Sequence, residues 1–236
     1  MSRPITRQVL LVLSAALACA ACRPPELRVT VETTQANSPL IEISSAQRAL
    51  PPELNAGATI AALPCPAGFC ELAPGQSLVT FSCNNGVCDP NPIELWVPAT
   101  VIDLEAFNSE LHTLVRSITS IEVHYIRHAV LSNSLTLGLP GIDLYWGSQG
   151  VVDRTSPGVF LLGHLPPTSP GQTTAPQPIA LQPLGLQALT DHLLSVSRRF
   201  QVLASVPIDL APNQPLPMGS MSMGLSFSMT FVGSVL

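Results

Sequence analysis

Between Gly219 and Phe231 the chain alternates without a break. Met221, Met223, Leu225, Phe227, Met229 and Phe231 hold the odd positions; Ser220, Ser222, Gly224, Ser226, Ser228 and Thr230 hold the even ones. Successive side chains of an extended strand point to opposite faces, so this spacing gathers every large apolar group on one side. The pattern lapses at Val232, which has the wrong parity, and at Gly233, which leaves a gap. The strand is therefore expected to end near Phe231, followed by an irregular tail or a bulge. An apolar face that long needs a second layer, so the rest of the chain must largely supply a partner sheet. As an edge it would invite pairing with other chains, so a central or covered position is expected. Its serine face is small and polar, suited to a sugar or a partner strand. A transmembrane barrel does not fit, because the other strands are too short and irregular to close one.

The composition narrows the function classes. Of 236 residues, 46% are hydrophobic, enough for a sizeable core, while only 11% are charged, against a usual quarter. There is no lysine, and all 10 basic residues are arginines. Without residues 1–21 the balance is eight arginines against 15 acids, a net charge of −7. Such a chain has no electrostatic footprint for nucleic acid. The 24 prolines and 15 glycines argue for many turns and against long helices.

Arg3 and Arg7 precede an apolar run from Val9 to Ala21, too short to span a bilayer and suited to the core of a signal peptide. The run ends Ala16-Leu17-Ala18-Cys19-Ala20-Ala21-Cys22. Small residues followed by cysteine resemble the lipobox of bacterial lipoproteins. The resemblance implies cleavage before the cysteine, diacylglyceryl attachment to its sulfur and acylation of the new amino terminus. Cys22 is the favoured site and Cys19 the alternative, because cleavage before Cys22 leaves an even set: Cys65, Cys70, Cys83 and Cys88. Cleavage after Ala18 or Ala20 without lipid is the rival reading. Arg23-Pro24-Pro25 then forms a tether of roughly 10 Å, at about 3.3 Å per residue, holding the domain close to the membrane. Arg23, not the aspartate of inner-membrane retention, implies by the same resemblance the outer membrane. The expected organisation is a signal peptide at 1–21, an anchor and tether at 22–25, and one domain at 26–236 with a cysteine-bearing insertion at about 46–92.

Cys65–Cys70 and Cys83–Cys88 share one spacing, with four residues between the cysteines. In an exported chain disulfides are expected. Two local bridges, 65–70 and 83–88, or two nested ones, 70–83 and 65–88, are open; a crossed pairing completes the set and is the least expected. A four-cysteine zinc site is the rival, disfavoured by an oxidising compartment, and no metal is expected. Asn84, Asn85, Asp89 and Asn91 invite a calcium reading, yet Asn-Gly and Asp-Pro are ordinary turn signals and no bidentate glutamate follows at the right distance.

The remaining chain reads as short strands between turns. Candidates are Glu26–Thr33, Leu40–Ile43, Ser77–Phe81, Ile93–Val101 broken by Pro98, Ile121–Leu131, Ile142–Gly147, Val159–Leu165 and Phe200–Leu210. Two helices are expected. One is capped by Asp103 and runs through Leu104, Phe107, Leu111, Leu114 and Ile118; the other carries Leu186, Leu189, Leu193 and Val196. This is a mainly β chain, an antiparallel β-sandwich with about two short connecting helices. From Val123 to Gly147 the order is strand, Asn133-Ser134 turn, Leu-rich strand, Pro140-Gly141, then Leu144-Tyr145-Trp146-Gly147. This order resembles the late-embryogenesis-abundant type 2, or WHy-like, sandwich over residues 118–235. The resemblance implies a sandwich with no established catalysis.

Motifs for chemistry are weak. Glu122, His124 and His128 are expected on one solvent face of a strand, with the histidines about 13 Å apart, too far to share an ion. Gly219-Ser220-Met221-Ser222-Met223-Gly224 misses the spacing of a nucleophile elbow, and Asp191-His192 reads as a solvated helical pair. The methionines of the closing strand invite copper, but alternation with Leu225 and Phe227 is explained by packing. No cofactor and no catalytic residue are expected. The expected function is a lipid-anchored, non-enzymatic structural or binding module of the envelope. Alternatives are an accessory factor with a protein partner in the outer membrane or a secretion system, and a hydrolase with a dispersed site. A pocket converging on His164 or His192 with a carboxylate favours the hydrolase. An exposed apolar groove or unpaired edge favours the partner binder, and a closed, shallow surface favours the structural role.

Overall fold

The computed structural model describes residues 26–33, 36–42, 64–65, 70, 81–111, 118–195, 197–210 and 218–234. The residues expected to form the signal peptide and tether, Cys19, Cys22 and most of the expected insertion lie outside the described residues, as do Leu114 and Val196. Twelve strands and two helices are described. They are β1 (Glu26–Glu32), β2 (Ala36–Glu42), β3 (Phe81–Asn84), β4 (Val87–Pro90), β5 (Ile93–Asp103), α1 (Leu104–Phe107), β6 (Ile118–Asn133), β7 (Ile142–Gly147), β8 (Phe160–Leu165), β9 (Gln177–Pro178), β10 (Ala180–Leu181), α2 (Pro183–Ser195), β11 (Arg199–Ile208) and β12 (Ser220–Ser234).

Two antiparallel sheets of five strands face each other. The first has the order β1-β12-β6-β9, with β2 also paired to β12; the second has the order β10-β8-β7-β11-β5. The closing strand is central, as its composition requires: β12 pairs with β1 and β2 on one side and β6 on the other. Its odd residues from Met221 to Phe231 are at most 1% exposed and belong to the core. Facing them are Phe200, Val202, Ala204, Val206 and Ile208 of β11. The rings of Phe200 and Phe227 meet edge to face, centroids 5.5 Å apart, and join the two layers.

The even face of β12 is covered by its neighbours' side chains. Thr30 and His124 both bond the Thr230 hydroxyl, at 2.8 and 2.7 Å. The Arg28–Glu122 ion pair spans from β1 to β6 above the strand. The strand also runs further than the alternation suggests. Val232 and Gly233 remain paired through to Ser234, and the change of parity is absorbed by an extra residue of β6 opposite them.

That extra residue is one of three. Along β12 the pairing jumps from Ser120 to Ile118, from Tyr125 to Val123 and from Ser132 to Val130, so Thr119, His124 and Leu131 each stand as bulged residues of β6. A bulge reverses which face the following residues present. Glu122 and His124 point to solvent as expected, but His128 does not share their face: it is 3% exposed and paired with core-facing Leu225. Pro98 does not break β5 either. It lies on the edge strand, where the pairing with β11 slips between Gln201 and Leu203, a place that tolerates a missing N–H.

The Asp103 carboxylate accepts from Glu105 N at 3.1 Å, capping α1, and Leu104 and Leu111 are buried. Ile118, expected at the end of this helix, instead begins β6 opposite Gly233. The second helix forms as its spacing predicts, with Leu189 and Leu193 fully buried. It approaches β8 so closely that a Cβ on Gly185 would sit 1.8 Å from Leu161 O. Gly185 O accepts the Trp146 indole N–H at 2.8 Å.

The cysteines form a small unit of their own. Asn85 and Gly86, with φ of 51° and 80°, close the two-residue turn between β3 and β4, the backbone that Asn-Gly favours. The pairing is the crossed one, Cys65–Cys83 and Cys70–Cys88, with Cα separations of 5.9 and 5.8 Å. This corrects the expectation that local or nested bridges would form. The hairpin sets Cys83 opposite Cys88, and Cys65 N–H donates to Gly86 O. The segment bearing Cys65 and Cys70 thus docks beside both strands and ties to each once.

Candidate functional site

The outward faces of the two sheets differ. On the first, polar side chains close over β12. On the second, an open cleft of about 320 Å³ lies between Pro92, Ile93 and Glu94, the Pro140-Gly141 bend, and Asp143, Ser205 and Pro207. Its polar groups Glu94, Asp143 and Ser205 come from adjacent strands, in a row that continues past the cleft on both sides: His164 of β8 is opposite Asp143 of β7, which is opposite Ser205 of β11, which is opposite Trp96 of β5. Residues two apart on a strand share a face. Glu94 and Tyr145 therefore join this row from above and below.

The row is already hydrogen-bonded within itself. His164 Nδ1 and Asp143 Oδ1 are 2.5 Å apart. Ser205, only 4% exposed, donates its hydroxyl to Glu94 Oε1 at 2.6 Å. Arg154 reaches in from the loop after β7, with its guanidinium 3.7 Å from the second Glu94 oxygen. That loop is held in place at two points. Gly150 N–H donates to Gln201 Oε1, and Asp153 accepts from the backbone and hydroxyls of Thr155 and Ser156. Those hydrogen bonds hold the Asp153 carboxyl below its ordinary range. Beside the polar groups the rings of Trp96 and Tyr145 pack at 5.3 Å, tilted by 54°. Burial, seconded by the charge of Asp143, pushes the Tyr145 phenol up, so it keeps its proton and remains a donor.

This geometry fixes what the cleft can do. Serine and histidine occupy one row, but Asp143 stands between them, so their strands are about 9–10 Å apart. Proton transfer from a nucleophile to its base needs about 3 Å, so His164 does not serve Ser205; the group within that reach of Ser205 is the Glu94 carboxylate. Each carboxylate has its own partner, His164 for Asp143 and Arg154 for Glu94, which leaves a surface of paired donors and acceptors beside an aromatic pair.

The other residues singled out in the sequence lie elsewhere. His192 turns from Asp191 toward the Arg199 carbonyl, 3.0 Å away, and packs 5.4 Å from the Trp146 ring. Ser220 and Ser222 bond Ser134 and Ser132 across the strands. Met221, Met223 and Met229 are core residues. His128 lies under β9, its Nε2 3.1 Å from the Gln177 amide and its Nδ1 without a partner among the described residues. Burial pushes its pKa below the ordinary 6.5. Glu94, Trp96, Asp143 and Ser205 were not singled out in the sequence. They are far apart in the chain and meet only through strand order, so no local motif marks them.

No protein-family model, no curated protein and no solved structure matches this chain.

Proposed function

We propose that this is a lipid-anchored protein of the cell envelope, and that its sandwich is a non-enzymatic binding module that meets its ligand at the open cleft of the second sheet. One observation carries the binding reading. The Ser205 hydroxyl of the cleft and the His164 ring beside it each bond a different carboxylate, in a geometry that presents hydrogen-bonding groups and aromatic surface and keeps the serine out of reach of the histidine. The lipid anchor rests on the lipobox-like Ala20-Ala21-Cys22 and on the even cysteine set that it leaves. Among the described residues no helix is long and apolar enough to cross a membrane.

A fluorophosphonate probe, which phosphonylates activated serines with loss of fluoride, tests the choice against a hydrolase. Ser205 is expected to stay unlabelled in the folded protein. Labelling of Ser205 that disappears in His164→Ala would make the cleft an active site. Native mass spectrometry of protein extracted from envelopes tests binding directly. A ligand retained by the wild type and lost in Asp143→Asn/Glu94→Gln, at unchanged circular dichroism, is the expected result.

A further inference from the structure

The four cysteines converge on one point, and backbone pairing as well as sulfur–sulfur bonds brings three of them there. The Asn85-Gly86 turn places Cys83 and Cys88 opposite each other, where side chains share one face with Cα atoms about 4.5–5.5 Å apart. Cys65 is docked against the same turn by the 2.9 Å bond from its N–H to Gly86 O and by the bridge between Pro64 and Val87. The sulfurs of Cys65, Cys70 and Cys88 all lie within 4.8 Å of one another, and that of Cys83 is bonded to Cys65. Cys65 and Cys88 are 2% and 3% exposed.

We propose that, once both bridges are reduced, this cluster is a four-thiolate site for one Zn²⁺ ion, so that the hairpin alternates between a two-disulfide state and a metal-bound state. A tetrahedral centre with Zn–S of about 2.3 Å needs sulfurs about 3.8 Å apart. On reduction the sulfurs of each bridge part from the bonded spacing of about 2.0 Å, while those of Cys65, Cys70 and Cys88 start within 4.8 Å of one another, so rotation of the cysteine side chains is the adjustment the site requires. Thiolates are soft ligands, and four of them select Zn²⁺ over the hard cations Ca²⁺ and Mg²⁺. The exchange balances. Each disulfide takes two electrons and two protons from an external dithiol, which is itself oxidised to a disulfide. The four thiols then release four protons as they coordinate. Oxidising surroundings hold the disulfide state, while reducing dithiols and free metal draw the chain to the other.

The test uses the mature chain with Cys22→Ser, so that only these four thiols remain. It is reduced anaerobically with a dithiol, desalted and titrated with Co²⁺. One Co²⁺ per chain is expected, with the visible bands of a tetrahedral centre and a near-ultraviolet thiolate charge-transfer band, displaced by one Zn²⁺. The oxidised protein should take up none. Cys83→Ser should weaken binding by more than about 100-fold, since even groups outside the ligand set are worth 10–100-fold. A second measurement is independent of how the reduced hairpin packs: Zn²⁺ present during alkylation should protect all four thiols, counted by mass. Equal alkylation with and without Zn²⁺, or Co²⁺ binding unchanged by Cys83→Ser, overturns the proposal.

Discussion

Phe227 is fully buried and meets Phe200 across the gap between the layers. Phe227→Ala removes both its burial and that contact, and is expected to cost about 3–5 kcal/mol in urea unfolding. His128 gives a pH dependence. Its pKa is lowered by burial in the fold, so the unfolded chain takes up the proton first. Its contribution to stability is complete above the ordinary value of 6.5 and is lost as pH falls through that value toward the depressed folded one. Unfolding of the wild type followed from pH 8 to pH 5 should show this loss, and His128→Gln should flatten it. Gly185 is fixed by close approach. Gly185→Ala drives a methyl into Leu161 O, so α2 must lift and the indole bond of Trp146 to Gly185 O must break. A red shift of tryptophan emission would report it, with Trp96, the one other tryptophan, as the background signal.

Among the elements, β12 shows what a sequence reveals and where it stops. Its alternation was legible because both faces keep strict parity over more than ten residues, and its centrality followed from the hazard of leaving such a face at an edge. The second helix was legible for the same reason, with Leu189 and Leu193 at helical spacing. β6 was legible as a strand, Ile121–Leu131 falling within Ile118–Asn133, but its facing was not, because a bulge is a property of the pair rather than of the strand. Nothing in the types of Thr119, His124 or Leu131 announces that β12 will skip them, yet the skips decide that His124 faces solvent and His128 the core. The crossed disulfides and the cleft were hidden likewise. Spacing sets how far Cys65 can reach but not which sulfur it meets, and Glu94, Asp143 and Ser205 become neighbours only once β5, β11 and β7 are ordered. Amide hydrogen exchange tests the element-level account. The Leu225–Phe231 amides should be the slowest to exchange, because β12 is paired on both sides. Exchange there as fast as in the β3–β4 hairpin would contradict a central β12.

At the scale of the molecule, two sheets share one core, and their outer surfaces have different characters. The first sheet covers its polar strand with its own threonines and the Arg28–Glu122 pair. The second leaves a cleft beside Trp96 and Tyr145 with its carboxylates already partnered. An anchor at Cys22 joined by three residues to β1 would hold this body within about 10 Å of a membrane, a placement suited to binding rather than to free diffusion. One acyl chain anchors only marginally, while several together hold firmly, so the proposed lipid at Cys22 would decide where the protein works. Intact-mass measurement of the protein extracted from membranes tests this most directly. The account predicts a chain beginning at Cys22, heavier than the polypeptide by a diacylglyceryl and an acyl group and lighter by the four hydrogens of two disulfides. An unmodified Cys22, or a chain still carrying residues 1–21, would contradict it.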